Sequence, residues 1–180
     1  MPSDVLALPT LTGEQVTLRS WRRSDIDVVL EASQDPFIPL ATSVPKTRSS
    51  TEAREFIERQ HSRLRDRSGY AFAVADRDDN AVGHIGLFRV PGAHTRASVG
   101  YWIVGTHRRR GYAKDALTTL TSWAVTRENL DRIELYVEPW SEGSWRVAEQ
   151  AGYIREGLLR RWKRVDGEAR DMYMYSRLTL

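Results

Sequence analysis

The sequence predicts an α/β fold, a single domain over residues 1–180 with a central sheet of about seven strands flanked by about four helices. Three observations predict it. Stretches with apolar residues at helical spacing alternate with β-rich runs along the whole chain. Two hairpin signals, residues 76–80 and Asp166-Gly167, join neighbouring β-rich runs directly. A β-rich run ending at Val104 passes through an Arg-rich loop straight into an amphipathic helix. At 180 residues and 41% hydrophobic, the chain is near the size at which one compact domain buries roughly 70% of its unfolded surface.

Each element has its own signal. Residues 16–20 read as a strand, and Ser24 can cap a helix with Asp27 three residues on and Ile26, Val29 and Leu30 on its apolar face. Residues 35–50 hold Pro36, Pro39 and Pro45 among small polar residues, which predicts a loop or broken helix of a size that is often functional. Ser49-Ser50-Thr51-Glu52 is a capping-box pattern, followed by Ala53, Phe56, Ile57, Gln60 and Leu64 on one stripe. Residues 70–75, 81–90 and 96–104 read as three antiparallel strands, the last following Pro91-Gly92. Ala113, Ala116, Leu117, Leu120 and Ala124 then mark a helix, and residues 132–137 a strand. A short helix from about Glu142 to Ala151 ends at Gly152, in the position of a left-handed cap. Strands at 153–165 and 169–178 finish the chain. No repeat, low-complexity tract or linker interrupts this order.

Composition excludes several chemistries. Cysteine is absent, which removes disulfides, thiolate metal clusters and a covalent cysteine intermediate. His61, His84, His94 and His107 lack metal-ligand spacing, so no metal is expected. The net charge is only +3, because 27 basic residues nearly balance 24 acidic ones. That is a weak basis for binding a polyanion, although the isoelectric point is about 9.4. No run of about 18 apolar residues exists, and Met1-Pro2-Ser3-Asp4-Val5 lacks a basic-then-apolar leader pattern. A cytoplasmic protein with no membrane partner is expected.

The loop between Val104 and the following helix is where chemistry concentrates. Gly105 and Gly111 bracket Arg108, Arg109 and Arg110, so guanidinium charge converges on the first turn of a helix, where backbone N–H groups lack partners. Gly111 lets the backbone approach a ligand closely. This is a site for an anion such as a pyrophosphate. No Gly-Lys-Ser/Thr follows, which excludes a P-loop, and the three-glycine spacing of a Rossmann turn is missing.

Arg108-x-x-Gly111-x-Ala113 resembles the Q/R-x-x-G-x-G/A motif of the GNAT superfamily of acetyl-CoA-dependent N-acetyltransferases. Val16-Thr17-Leu18-Arg19-Ser20-Trp21 with Asp25 is similar to the opening of that superfamily's RimJ/RimL-like, ribosomal-protein branch. Val147-Ala148-Glu149-Gln150-Ala151-Gly152-Tyr153, Glu156-Gly157-x-x-Arg160, Asp166-Gly167 and Asp171 are similar to its closing segment, so the resemblance covers essentially the whole chain. It implies a mixed, mostly antiparallel sheet whose fourth and fifth strands, 96–104 and 132–137, splay apart to admit the pantetheine arm. It implies acetyl-CoA as co-substrate, held by Trp102, Ile103, Val104, Arg108, Arg109, Arg110, Gly111, Tyr112, Ala113, Ser141 and Ser144, with oxyanion donors among the backbone N–H groups near Ile103 and Val104.

The catalytic residues implied are fewer. The family's N-x-x-S motif matches Ser141-Glu142-Gly143-Ser144 with Ser in the Asn position, which makes Ser144 the candidate acid for the departing thiolate. Ser144 as a plain helix cap is the alternative. Relatives often place a Glu on the fourth strand where Ser98 stands here, so Glu138 becomes the candidate base beside a water chain, with Glu134 and Tyr136 read as structural. Trp140, Trp145 and Trp162 fall near the acceptor groove or cofactor by resemblance, while Trp102 and Trp123 are expected in the core.

The function implied is direct acetyl transfer, in a ternary complex, to a primary amine on a protein N-terminus or a small molecule. The alternatives are an inactive acyl-CoA-binding module, suggested by Ser at the usual Asn and Glu positions, and a nucleic-acid binder using Arg108–Arg110 and the cluster from Arg160 to Arg164. The C-terminal strands and Trp-rich segment offer a surface for a homodimer.

Overall fold

The computed structural model describes residues 7–126 and 130–179. The opening residues 1–5, read above for a leader pattern, lie outside the described residues. Among the described residues eight strands form one sheet: β1 (Leu11–Thr12), β2 (Thr17–Arg19), β3 (Gly69–Ala75), β4 (Ala81–Arg89), β5 (Arg96–Ile103), β6 (Arg132–Val137), β7 (Ile154–Val165) and β8 (Glu168–Leu178). Their order is β1-β2-β3-β4-β5-β6-β8-β7. Every pairing is antiparallel except β5 with β6. Five α-helices among the same residues cover the sheet: α1 (Ile26–Gln34), α2 (Ile38–Ala41), α3 (Ser50–Arg65), α4 (Tyr112–Ala124) and α5 (Glu142–Gln150).

The expected count was about seven strands and four helices, and the two additions have physical causes. Strand β1 is two residues long, too short to carry a period, and pairs with β2 across a turn closed by the Gly13 N–H on the Val16 carbonyl. Helix α2 is a single turn within the proline-rich segment, with Pro39 in its first turn, where a missing N–H costs nothing. The start of α1 differs too. A 3-10 turn, Arg23–Asp25, precedes it, and Asp25 rather than Ser24 organises the entry. The Asp25 carboxylate accepts the Arg22 N–H (2.8 Å) and both terminal nitrogens of Arg19 (2.8 and 3.0 Å).

Alternation along the strands divides the core between the two faces of the sheet. On one face Leu117 and Leu120 of α4 pack with Phe72, Val74, Ile85, Leu135 and Tyr175. On the other, Val29 of α1 and Phe56 and Ile57 of α3 pack with Trp21, Ala73 and Trp102. His84 sits inside this second layer, stacked near Trp21 and Trp102, and its Nδ1 accepts from Trp21 Nε1 (3.3 Å). Burial, with repulsion from Arg63, pushes its pKa down to about 3.

The remaining turns follow their sequence signals. Ser49 caps α3 by accepting the Glu52 N–H. Gly152 ends α5 at φ 80°, and Asp166 and Gly167 take φ 51° and 77°, the left-handed pair of a tight hairpin. Among the described residues no helix is long and apolar enough to cross a membrane.

Candidate active site

The parallel pairing of β5 with β6 stops early. Their register runs from Arg96–Arg132 to Val99–Leu135, yet β5 continues to Ile103 and β6 to Val137. Beyond Val99 the strands diverge, leaving backbone groups of β5 without a ladder partner. The Val104 N–H donates to the Val82 carbonyl (3.0 Å), toward β4. Alternation along an antiparallel ladder then turns the backbone groups of Tyr101 and Ile103 the other way, into the gap. Val104 was expected beside Ile103 as an oxyanion donor, but its N–H is already bonded within the sheet. Ile103 keeps an N–H facing the gap.

The Arg loop lies at the end of this gap. Arg109 (φ 59°) and Gly111 (φ 82°) are left-handed, which curls the backbone into a cradle. Gly111 is the N-terminal flank of α4, and the N–H groups of Gly111, Tyr112 and Ala113 meet no protein acceptor among the described residues. Arg108 turns away, donating from Nε to the Ile103 carbonyl (2.9 Å) and pairing through Nη2 with Asp35 (2.6 Å). Arg110 donates to the Thr106 carbonyl, and Arg109 has no carboxylate partner among the described residues. Free N–H donors, a helix N-terminus and two guanidinium groups without a carboxylate partner among the described residues fit a diphosphate; a bare strand edge beside them fits an extended amide-bearing arm.

Two residues frame this cradle through contacts that gave no signal in the sequence. A Cβ on Gly111 would lie 3.1 Å from Gln15 Nε2, so the Gln15 amide borders the cradle. Asp115, in the first turn of α4, accepts the backbone N–H groups of Glu14 (3.1 Å), Gln15 (2.7 Å) and Val16 (2.9 Å). An acidic residue there complements the helix dipole and was legible as such. Its partners, about a hundred residues earlier, were not.

Across the gap stands the N-terminus of α5. Ser141 is its N-cap, and its hydroxyl donates to the Ser144 hydroxyl (3.0 Å) rather than capping the helix. The Tyr101 hydroxyl reaches over from β5 to donate to the Ser144 carbonyl (2.9 Å), and burial raises its pKa, keeping the phenol protonated. Tyr101 was also missed by sequence reasoning. Ser141, Ser144, Tyr101 and the Ile103 edge are thereby gathered on the α4/α5 side of the splay.

The opposite side of β6 presents Glu134, Tyr136 and Glu138. Glu134 is fully buried, and although burial opposes its charge, donors from Tyr136 (2.7 Å), Arg132 (2.9 Å) and Arg96 (2.8 Å) hold its pKa below the usual range. Tyr136 is pushed up to about 12 by burial and by its bond to Glu134. Glu138 is half-buried, just past β6, and its carboxylate meets no donor among the described residues. Trp102 lies away from all of these, packed against Trp21 and Phe56.

Aromatic rings mark the mouth on this side. Trp140 packs on Phe37 (4.8 Å between centroids) and Trp162 stacks on Tyr136 (5.7 Å), while all three of Phe37, Trp140 and Trp162 remain at least half exposed. Trp145 is half-buried against the core and does not join them. Two shallow concavities lie elsewhere, one along the outer face of α3 and one bordered by Asp35, Pro36 and Leu40. Among the described residues no group of three or more His, Cys, Asp or Glu side chains is placed to hold a metal ion.

A splayed parallel strand pair with an anion cradle at its end suits a co-substrate that joins a diphosphate to an extended arm. Residues 15–154 match the acetyltransferase (GNAT) domain model. The chain belongs to that family, and it is an acetyl-CoA-dependent N-acetyltransferase. Among its relatives, the N-acetyltransferase p20 of Bacillus licheniformis is 28% identical over 95% of this chain and 97% of its own length. A spermidine N(1)-acetyltransferase of Vibrio cholerae is 23% identical over 89% of this chain and 91% of its own. The fold matches Mycobacterium smegmatis RimJ, solved in complex with CoA-disulfide, with a TM-score of 0.81 and 24% identity, covering 95% of this chain and 88% of RimJ.

Proposed function

We propose that the chain moves an acetyl group from acetyl-CoA directly to a primary amine, a protein N-terminus or a small molecule, within a ternary complex. The observation that carries this reading is the end of β5–β6 pairing at Val99–Leu135 beside the free N–H groups of Gly111, Tyr112 and Ala113. In it Arg109, Arg110, Gly111, Tyr112 and Ala113 hold the diphosphate, Arg108 and Trp102 fix the loop and strand, and the Ile103–Val104 edge with Ser141 lines the arm. The co-substrate supplies a thioester already activated toward amines. Positioning then supplies most of the rate, on the order of 7–11 kcal/mol of the barrier.

Two side chains have proton-handling roles in this proposal. Ser144, whose hydroxyl accepts from Ser141, passes a proton to the departing thiolate in this reading. Glu138, half-buried without a cation beside it, takes a proton from the incoming ammonium. Among the described residues no His or Lys bonds Ser144, which supports direct attack by the amine over an acyl-serine.

The acceptor classes are those of relatives that bear such names, among them the spermidine acetyltransferase above. Residues 1–180 acting as one such domain belongs to the same proposal, supported by a sheet running from Leu11 to Leu178. So does a cytoplasmic location, since acetyl-CoA is a metabolite of the cell interior. A homodimer through β7, where Ile154 and Leu158 are exposed, is checked by light scattering at several concentrations. Incubation with acetyl-CoA and an amine library, following free thiol and acetylated products by mass spectrometry, tests the function. Acetylated amines in step with thiol are expected; bound acetyl-CoA with no thiol released by any amine overturns the reading.

A further inference from the structure

The rim of the acceptor mouth carries information about what enters it. Three contacts close a ring of chain around that mouth. Phe37 packs on Trp140, Trp162 stacks on Tyr136, and Lys163 Nζ donates to the Ala41 carbonyl (3.2 Å). Helix α2 and its entry join the first contact to the third, and residues 136–140 join the first to the second. The floor is low in its middle, because between Arg96 and Trp102 the residues of β5 that face this side are the small Ser98 and Gly100, paired with Phe88 and Gly86.

Charge is divided unequally around the ring. The inner arc holds the Glu138 carboxylate, without a partner among the described residues. The outer arc, in β7, holds Arg160, Arg161, Lys163 and Arg164, all exposed, within five residues. Lys163 and Arg164 are tied to backbone carbonyls, and the side chains of Arg160 and Arg161 have no partner among the described residues. Asp171, on β8 beside the bulge, accepts the Arg161 backbone N–H (2.7 Å).

The outer arc is also a built feature. Between the pairs Leu159–Met172 and Lys163–Arg170, three residues of β7 oppose one of β8, and Arg161 is held left-handed at φ 51°. A bulge of this kind re-aims side chains, and here it accompanies Trp162 turned onto Tyr136 between the two charge arcs.

Resting on the transfer reading above, we propose that the acceptor is a primary amine on an anionic carrier, with an apolar or planar group between the two charges. The ammonium end enters toward Glu138, the apolar group lies against Trp162 and Trp140, and the anion meets Arg160 and Arg161. Polycationic amines are disfavoured, since a second ammonium over Trp162 would face four cations in five residues, against which a cation–π contact is a small gain. The same chemistry is found in the N-terminus of an acidic peptide and in a small phosphorylated aromatic amine.

The test compares kcat/KM, by thiol release at low ionic strength, for the peptides Ser-Phe-Asp-Glu-Ala-Ala and Ser-Phe-Lys-Lys-Ala-Ala, for tyramine O-phosphate against tyramine, and for spermidine. An advantage of about tenfold or more for the anionic member of at least one pair, shrinking with added salt, is expected. Whichever pair shows it identifies the source, peptide or small molecule. The double variant Arg160→Gln/Arg161→Gln should bring that ratio near one, and Arg160→Glu/Arg161→Glu should invert it, while acetyl-CoA still raises the melting temperature of both. Equal use of both members of each pair, or a preference that survives the double variants, overturns the inference while leaving acyl transfer standing. Failure of every amine to release thiol from bound acetyl-CoA overturns the transfer reading, and this inference with it.

Discussion

At the scale of single residues, Ser144 and Glu138 are separable by kinetics. Ser144→Ala removes a proton source needed only as the thiolate departs, so kcat should fall about a hundredfold while the KM for acetyl-CoA changes little. A rise in KM with kcat intact would make Ser144 a binding residue. Glu138→Gln should cost most at low pH, where the amine arrives protonated and needs a base, and least at high pH, where it is already neutral; a loss independent of pH would remove Glu138 from proton transfer. His84 makes a prediction about stability. Its folded pKa, about 3, lies below its ordinary 6.5, so the unfolded chain binds a proton that the native state refuses. Stability is therefore complete above about pH 6.5 and declines as pH falls toward 3. Glu156, lowered to about 2 by its bonds to Arg132 and Ser176, acts in the same direction but only below its ordinary 4.5. Between pH 6.5 and 5 the decline belongs to His84, and a urea midpoint flat across that window would contradict its burial as a neutral ring.

At the scale of elements, Asp115 ties the first turn of α4 to the chain before β2. Asp115→Ala leaves three N–H groups without that acceptor, two of them partly buried, a cost of roughly 1–3 kcal/mol, and should weaken acetyl-CoA binding by freeing Gln15 and the cradle. A variant with wild-type stability and affinity would contradict that link. This bond also illustrates where sequence reading stops. Helices α3, α4 and α5 and the hairpin at Asp166-Gly167 were legible because their signals are local: a cap, a stripe, a turn pair. The cradle was legible for the same reason, since Gly111 and the arginines are neighbours in sequence. The partners of Asp115, the Tyr101–Ser144 bridge and the turn of Arg108 onto Asp35 depend on residues 43 to 101 positions apart, and no period or spacing encodes them. The bulge at Arg161 was hidden because non-glycine residues seldom take that backbone and nothing in Arg160-Arg161-Trp162 announces it.

At the scale of the whole molecule, one departure from regular pairing organises everything else. Strands β5 and β6 begin as a parallel pair and separate after Val99–Leu135. The opening exposes the Ile103 edge to one side, where α4 and α5 bring the cradle and Ser144. It opens to the other side between α2, Glu138 and the β7 bulge, where an amine would arrive. In the proposed reading the two substrates approach from opposite faces of one sheet and meet at the gap, an arrangement that suits direct transfer. The resemblance implied this splay, and the register locates it. Its most direct test is amide hydrogen exchange with and without acetyl-CoA. Exchange should slow at Gly111, Tyr112, Ala113 and Ile103, whose N–H groups gain acceptors, and stay unchanged at Val104, already bonded to Val82. Saturating acetyl-CoA that protects other residues while leaving those four at their free rates would contradict the account.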